Sequence, residues 1–228
     1  MALHRGPKIV TDGLVLCLDA ADKKSYSGSG TTWYDRSGNG NHGTLTNGPT
    51  FDSGNGGSID FDGSDDYATI TNNSDLYFTG EEWAVGCWLR VEDGIDVTTN
   101  YVVFNNESYE SSGMIFRIDG ASARPYFRTN QSGASTGNTL EEVLSQDTWY
   151  NIVISYNSGT VTWYINGVSG GTASITSPIQ PTNDFLIGKQ SSQCWDGKIA
   201  IFNVYQNRSL SAEEVLQNFN AMRGRFGI

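Results

Sequence analysis

Short apolar runs, separated by clusters of glycine, asparagine and serine, recur along nearly the whole chain. Many alternate with polar residues at the period of two that is typical of half-buried β-strands. The strands predicted in the first 165 residues cover 14–19, 58–61, 68–70, 83–91, 101–104, 114–118, 126–128, 149–156 and 161–165. The polar stretch 132–139 is predicted to be a loop, and Asn166-Gly167 a tight hairpin turn leading into Val168. This regular spacing of strands and turns predicts a β-sandwich or a barrel.

The segment 184–221 predicts a closing unit of strand, loop, turn and strand. Residues 185–187 form a short apolar run, 189–193 a polar loop, and Trp195-Asp196-Gly197 a turn. In the strand that follows, alternation breaks at Ile201-Phe202, which predicts a bulge or burial on both faces.

A short helix is predicted after this strand. Ser211 and Glu214 have the spacing of a capping box, in which each side chain bonds the other residue's backbone N–H. The residues on one helical face are Val215, Leu216, Phe219 and Met222, and Gly224 follows as the predicted stop.

The formal net charge of −11 over 228 residues restricts the partners. Nucleic acids and anionic membranes are polyanions, so we expect no nucleic-acid binding and no membrane insertion. Residues 1–8 contain no apolar core of a signal peptide, so we expect synthesis in the cytoplasm. Cys17, Cys87 and Cys194 form no CxxC pair, and the two histidines have no metal-ligand spacing. We therefore expect buried, reduced thiols and no zinc site.

Several motifs resemble those of laminin-G-like, concanavalin A-like jelly-roll domains and occur in the same order. They are GLVL at 13–16, DRSGNGN at 35–41, FDGSDDY at 61–67, WYNIV at 149–153, YING at 164–167, WDGKI at 195–199 and the helical tail NRSLSAEEVLQNFNA at 207–221. The resemblance covers residues 12–222. It implies an all-β jelly-roll sandwich of two antiparallel sheets with one short C-terminal helix. The domain would occupy residues 12–228, preceded by an N-terminal arm at 1–11.

The two ends carry a second, narrower resemblance. GPKIVTDGLVLCLDAADKKSYSGSGTTWYD at 6–35 and NFNAMRGRFG at 218–227 look like stretches of virion structural proteins of tailed bacteriophages, notably phages of marine bacteria. This resemblance implies a non-enzymatic structural protein at the virion surface, as a decoration, fibre or tail-associated component. Its partners would be other virion proteins and further copies of itself. The lectin-like fold implies host-surface glycans as a ligand.

The alternative is a carbohydrate-active enzyme or its carbohydrate-binding module. Glycoside hydrolases need two carboxylates across a cleft, and the Glu-x-Asp pattern that the superfamily's hydrolases use does not occur in the sequence. The adjacent pairs Glu81-Glu82 and Glu141-Glu142 would point to opposite sides of a strand. We therefore expect no enzymatic activity, although the fold alone does not decide it.

The best candidate for a carbohydrate-facing edge combines an aromatic residue at a strand end with a neighbouring polar loop. Its residues are Asn105, Asn106, Glu107, Tyr109 and Trp195. Tryptophan and tyrosine rings stack on sugars, but tryptophans in strand patterns are more often core residues. For Trp195 both interpretations stay open.

Calcium is the one cofactor that the sequence raises. The resemblance extends to pentraxins, whose calcium loops correspond to 105–113 and 189–193. The second loop has no carboxylate, which argues against that site. For Asp62, Asp65 and Asp66 two interpretations remain, a structural calcium site or a turn capped by its own side chains, and the turn is favoured.

The N-terminal arm carries His4, Arg5 and Lys8 on an otherwise acidic chain. A short basic arm suits docking to an acidic neighbour in an assembly, and a frayed end without a role is the alternative.

Overall fold

Two antiparallel sheets of eight strands each pack face to face in the structure, a computed structural model that describes residues 8–92 and 99–228. The strands are β1 (Leu14–Asp19), β2 (Thr32–Trp33), β3 (Gly43–Thr46), β4 (Thr50–Asp52), β5 (Ser58–Asp62), β6 (Tyr67–Ile70), β7 (Glu82–Val91), β8 (Tyr101–Asn105), β9 (Met114–Asp119), β10 (Arg124–Gln131), β11 (Ala134–Thr139), β12 (Trp149–Asn157), β13 (Thr160–Ile165), β14 (Val168–Ser174), β15 (Phe185–Ile187), β16 (Lys189–Gln190), β17 (Gln193–Cys194) and β18 (Asp196–Gln206). One α-helix, α1 (Ala212–Phe226), follows the last strand.

The strand order confirms the jelly-roll sandwich. We call the sheet β14-β13-β12-β7-β18-β5-β4, with β1 paired to β18, the helix-side sheet, because α1 packs on its outer face. The opposite sheet has the order β11-β10-β9-β8-β15-β6-β3-β2. β16 and β17 form a separate small hairpin.

Aromatic side chains dominate the core between the sheets. Trp33, Trp83, Trp163 and Trp195 are fully buried there, and the ring of Trp83 stacks on that of Tyr156 with centroids 4.9 Å apart. Large aromatic rings contribute much of the apolar area that stabilises such a core. The three cysteines are buried and unbonded, and burial raises the pKa of the Cys17 thiol to about 12.

Strand β18 contains the predicted irregularity. Its register with β7 shifts between Ile199 and Ile201, so the bulge lies at Ala200, one residue before the predicted position. Phe202 and Val204 face the core, whereas Ile201 and Tyr205 face the helix side. Both faces of this strand are therefore buried.

The helix begins as predicted and ends later. Both hydrogen bonds of the capping box between Ser211 and Glu214 are present. Gly224 was wrongly predicted as the stop, because the helix continues to Phe226, whose ring stacks on Trp88 at 4.0 Å. Gly227 ends it with a φ of 75°, in the left-handed region that glycine adopts without strain. Leu216, predicted for the buried face, is 45% exposed.

The polar stretch after β10 was wrongly predicted as a loop. Residues Ala134–Thr139 form strand β11, which pairs with β10 from Tyr126↔Thr139 to Gln131↔Ala134. Its serine, threonine and asparagine side chains are suited to a half-exposed strand at the edge of a sheet. In the described part of the chain, no helix is both long enough and apolar enough to cross a bilayer.

Candidate functional site

The loop after β8 and the β16-β17 hairpin meet at one end of the opposite sheet. Asn105 ends β8, and its side-chain oxygen accepts a hydrogen bond from the backbone N–H of Glu107 at 2.9 Å. Asn106 braces the loop in two directions, because its amide donates to the carbonyl of Leu76 and accepts from the N–H of Met114. Both asparagines are buried. Their side chains shape the loop through these hydrogen bonds.

Glu107 lies at the centre of this meeting point, with a fully buried side chain. Arg128 on β10 binds the Glu107 carboxylate in a bidentate manner, with Nη2 2.5 Å from Oε1 and Nε 3.2 Å from Oε2. Asn130 donates to Oε2 at 2.6 Å, and Gln190 of the β16-β17 hairpin donates to Oε1. Both oxygens of the Glu107 carboxylate are thus used by side chains from β10 and from the β16-β17 hairpin.

The charge pair changes the titration of Arg128. Desolvation lowers the pKa of its guanidinium, but the hydrogen bond and the charge of Glu107 raise it more, so the pKa lies above its ordinary value. The arginine is therefore charged at every accessible pH. The two loops that the pentraxin resemblance pointed to do meet, and the hydrogen bond from Gln190 to Glu107 joins them.

Tyr109 is the exposed aromatic residue of this loop. Its residue surface is 59% exposed, and the guanidinium carbon of Arg128 lies 4.5 Å from the ring centroid. Beyond it, the backbone N–H of Glu110 donates to the side-chain oxygen of Asn130 at 3.1 Å. The hydrogen bond and charge of Glu110 raise the pKa of the Tyr109 hydroxyl. The Tyr109 ring is thus exposed, while Arg128 contacts the ring and the hydrogen bond of Glu110 to Asn130 holds the backbone beside it.

Trp195 does not belong to this exposed edge. It is fully buried in the core, where its backbone N–H donates to the carbonyl of Gly188 at 2.7 Å and its carbonyl accepts from the backbone N–H of Gly63 at 3.1 Å. The preceding polar residues form the tight β16-β17 hairpin, which turns the ring inward. The structure thus supports the core interpretation of Trp195 and removes it from the candidate site.

A second aromatic–cation pair lies on the same outer face and was missed by the sequence analysis. Arg117 on β9 stands in register with Tyr126 on β10, and its guanidinium carbon is 4.6 Å from the ring centroid. Phe116 and Phe127 alternate with them and point into the core. The apolar–polar alternation of Tyr126, Phe127 and Arg128 was the available signal, but the pairing of β9 with β10 cannot be read from it.

The three aspartates after β5 come together as the calcium hypothesis requires. One ligand atom from each of Asp62, Asp65 and Asp66 lies within 4.8 Å of the others. The same carboxylates also cap their own turn, because Asp62 accepts from the N–H of Ser64 at 2.9 Å and Asp66 from that of Asp62 at 3.1 Å. Desolvation raises the pKa of Asp66. Turn capping accounts for this geometry without an ion.

The N-terminal arm is held to the helix from Lys8 onward. Gln217 donates to the carbonyl of Lys8 at 2.7 Å, and the N–H of Val10 donates to the side chain of Asn218 at 2.7 Å. The Lys8 residue remains exposed. His4 and Arg5 lie outside the described residues. Lys8 and Val10, which lie in the range that the sequence assigned to the arm, are therefore docked on the helix.

One glutamate of each adjacent pair has a structural partner. Glu82 accepts hydrogen bonds from Asn157 and Ser209, and Glu141 forms an exposed ion pair with Arg124 at 3.0 Å. These contacts fix surface loops and edges of the sandwich.

Residues 62–216 match the family model described as the concanavalin A-like lectin/glucanases superfamily, which is more than half of the chain. The comparison with curated proteins found no match.

Three solved structures illustrate the shared fold. The binding domain of Paraclostridial Mosquitocidal Protein 1 is 21% identical, with a TM-score of 0.75 over 92% of this chain and 52% of that chain. The botulinum neurotoxin serotype D ligand binding domain, solved with N-acetylneuraminic acid, is 17% identical, with a TM-score of 0.73 over 92% and 51%. The binding domain of botulinum neurotoxin DC, solved with rat synaptotagmin II, is 16% identical, with a TM-score of 0.71 over 93% and 52%. This chain thus spans about half the length of each, and at these identities the likeness establishes the fold.

Proposed function

Because the chain belongs to the concanavalin A-like lectin/glucanases superfamily, we propose that it is a non-enzymatic glycan-binding protein of a virion surface. In this proposal it is a decoration, fibre or tail-associated component that contacts host-surface glycans. The virion role is supported by the resemblance of segments 6–35 and 218–227 to phage structural proteins. The glycan-binding role is supported by the exposed edge around Tyr109.

The observation that carries the glycan-binding role is the placement of Tyr109. A free tyrosine on a loop would lose conformational freedom on binding, which costs free energy. Here Arg128 covers one side of the ring, and the buried Glu107 fixes Arg128. The open side of a ring held in this way is suited to stacking on the C–H face of a sugar.

The neighbours support this proposal only in part. One of the similar domains was solved with N-acetylneuraminic acid and another with rat synaptotagmin II, and each is about twice as long as this chain. The superfamily also includes glucanases, but one glutamate of each adjacent pair, Glu82 and Glu141, is engaged in a structural contact. Binding without hydrolysis is therefore the role that the site favours.

The test is glycan binding by Tyr109→Ala. Immobilised glycans on an array identify a ligand, and calorimetry then compares the variants with the wild type. Loss of a stacking contact worth about 1.4 kcal/mol weakens binding about tenfold. Tyr109→Phe retains the ring and should bind as the wild type does.

Tyr34→Ala is the matched control, because Tyr34 is also exposed, at 48%, but packs edge-to-face against His42, away from the loop that carries Tyr109. Equal affinity of Tyr109→Ala and the wild type for every bound glycan would reject the site. Release of reducing ends from any polysaccharide would instead favour the enzyme alternative.

The virion role has its own test. Antibody labelling of intact particles should place the protein on their surface. Deleting residues 2–7 should leave thermal stability unchanged, because it keeps the hydrogen bonds that Lys8 and Val10 make to the helix. The same deletion should lower incorporation into particles if the arm with His4 and Arg5 docks to a neighbour, and normal incorporation would show that the arm has no such role.

A further inference from the structure

Arg117 is a strand arginine whose charge lacks a carboxylate partner among residues 8–92 and 99–228. The arginines that form ion pairs in this part of the chain are Arg36, Arg90, Arg124, Arg128, Arg208 and Arg225. Arg117 instead stacks on Tyr126, and its buried Nε has no hydrogen-bond partner there. On a protein of net charge −11, a guanidinium left unpaired on a sheet face is a selective place for an anion.

The surroundings of Arg117 restrict where its aromatic partner Tyr126 can lie. Tyr126 reaches over β11 at Gly137, where a methyl group would collide with the tyrosine hydroxyl. Gly137 has an ordinary strand conformation, so the glycine is needed here for space and not for its backbone freedom. The ring and the guanidinium together form a platform that we call the Arg117–Tyr126 platform.

This platform lies close to Arg128, the residue that contacts the ring of Tyr109. Tyr126 and Arg128 are two residues apart on β10 and face the same side, and Arg117 is the cross-strand neighbour of Tyr126. Two residues along a strand span about 7 Å and neighbouring strands lie about 5 Å apart, so the backbones of Arg117 and Arg128 stand roughly 8 Å apart. The charge of Arg128 is already satisfied by Glu107. Arg117 is the cation that remains for a ligand extending from Tyr109.

We propose that the ligand is a carboxylated glycan, with a uronate-type carboxylate bound by Arg117 and the sugar ring packed on Tyr126. This inference rests on the proposed glycan-binding function and names its ligand class. A guanidinium presents paired N–H donors that match a carboxylate. A densely sulfated chain carries more than one charge on many sugars and would be repelled more strongly by a protein of net charge −11. A uronate chain has one charge per sugar, which suits a single arginine.

The experiment uses the full chain with two probes, tetragalacturonate and its carboxyl-reduced form, measured by calorimetry. Arg117→Gln should weaken binding of tetragalacturonate at least tenfold and leave binding of the reduced form unchanged. Arg117→Lys should retain part of the affinity, since it keeps the charge but loses the fork. Raising NaCl to about 0.3 M, where the Debye length is roughly 6 Å, should weaken only the charged probe.

The matched control is Arg223→Gln, which removes the same charge from another aromatic–cation pair, on the helix at the other side of the sandwich. Gly137→Ala serves as a second variant, because it displaces Tyr126 without changing any charge, and it should also weaken binding of tetragalacturonate. Thermal melts confirm that each variant is folded.

The outcomes separate the two proposals. If Tyr109→Ala weakens binding of a glycan while Arg117→Gln binds every glycan as the wild type does, the glycan-binding function stands and the carboxylate inference is wrong. Wild-type preference for the reduced probe, no binding of tetragalacturonate, or binding of only a sulfated oligosaccharide would also overturn the inference.

Discussion

Replacing Glu107 by glutamine should destabilise the protein far more than its loop position suggests. The change removes a charge from a fully buried side chain and leaves Arg128, whose side chain is only 13% exposed, without its counter-ion. Breaking one partner of a buried ion pair costs about 3–5 kcal/mol. Glutamine keeps one acceptor oxygen for Asn130 or Gln190, so we expect the lower end, about 3 kcal/mol. For a domain of this size that loss lowers the Tm by roughly 6–12 °C.

The assay is urea unfolding at neutral pH, with a thermal melt as the second measurement. Glu141→Gln is the matched control, because Glu141 pairs with Arg124 at 3.0 Å but its side chain is 85% exposed. Exposed pairs contribute at most about 1 kcal/mol. A double variant, Glu107→Met with Arg128→Met, should be less destabilised than Glu107→Gln, since no charge then remains buried. If Glu107→Gln shifts the free energy of unfolding no more than Glu141→Gln does, the reasoning about the buried pair is refuted.

Two further predictions concern helix α1 and the carboxylate of Asp52. Phe219→Ala should cost about 3–5 kcal/mol, because the buried ring stacks on Trp88 at 5.6 Å, whereas Ser211→Ala should cost about 1 kcal/mol through the lost cap. Equal, negligible shifts of the denaturant midpoint would contradict the docking of the helix. The side-chain hydrogen bond from Lys198, with that from the backbone of Gly54, lowers the pKa of Asp52, so its carboxylate stabilises the fold above an unfolded pKa of about 3.9. That contribution is lost as the pH falls through the lower folded pKa. Asp52→Asn should therefore lower the urea midpoint near neutral pH. Below about pH 4, the urea midpoint of this variant should fall less than that of the wild type.

Local signals in the sequence predicted much of the fold because they act over a few residues. The capping box at Ser211 depends on a spacing of three, and the turn at Asn166-Gly167 on two residues that adopt positive φ at 51° and 79°. Strand β11 was missed because its polar residues lack an apolar face, and only pairing with β10 reveals it. The helix stop was misplaced because the contact of Phe226 with Trp88 outweighs the low helix propensity of Gly224.

The candidate site was harder to predict because tertiary contacts create it. Asn105, Asn106, Glu107 and Tyr109 were found as one loop, but their division into buried braces and one exposed ring depends on Arg128 and Gln190, which arrive from distant strands. Arg117 and Tyr126 are nine positions apart in the sequence and meet only through the register of β9 with β10. A charged residue in an alternating strand looks like any solvated position until its neighbours across the sheet are known.

The arrangement of the two sheets links the proposed roles. Residues 8–10 and helix α1 both lie on the outer face of the helix-side sheet, where Val10 and Val215 pack on the same apolar cluster. Tyr109 and the Arg117–Tyr126 platform are presented by the opposite sheet. If the N-terminal arm attaches the protein to a larger particle, the attachment is on one face of the sandwich and the aromatic–cation surface is on the other. A carboxylated glycan could then reach Arg117 without displacing the arm, so deletion of residues 2–7 should leave the affinity for tetragalacturonate unchanged.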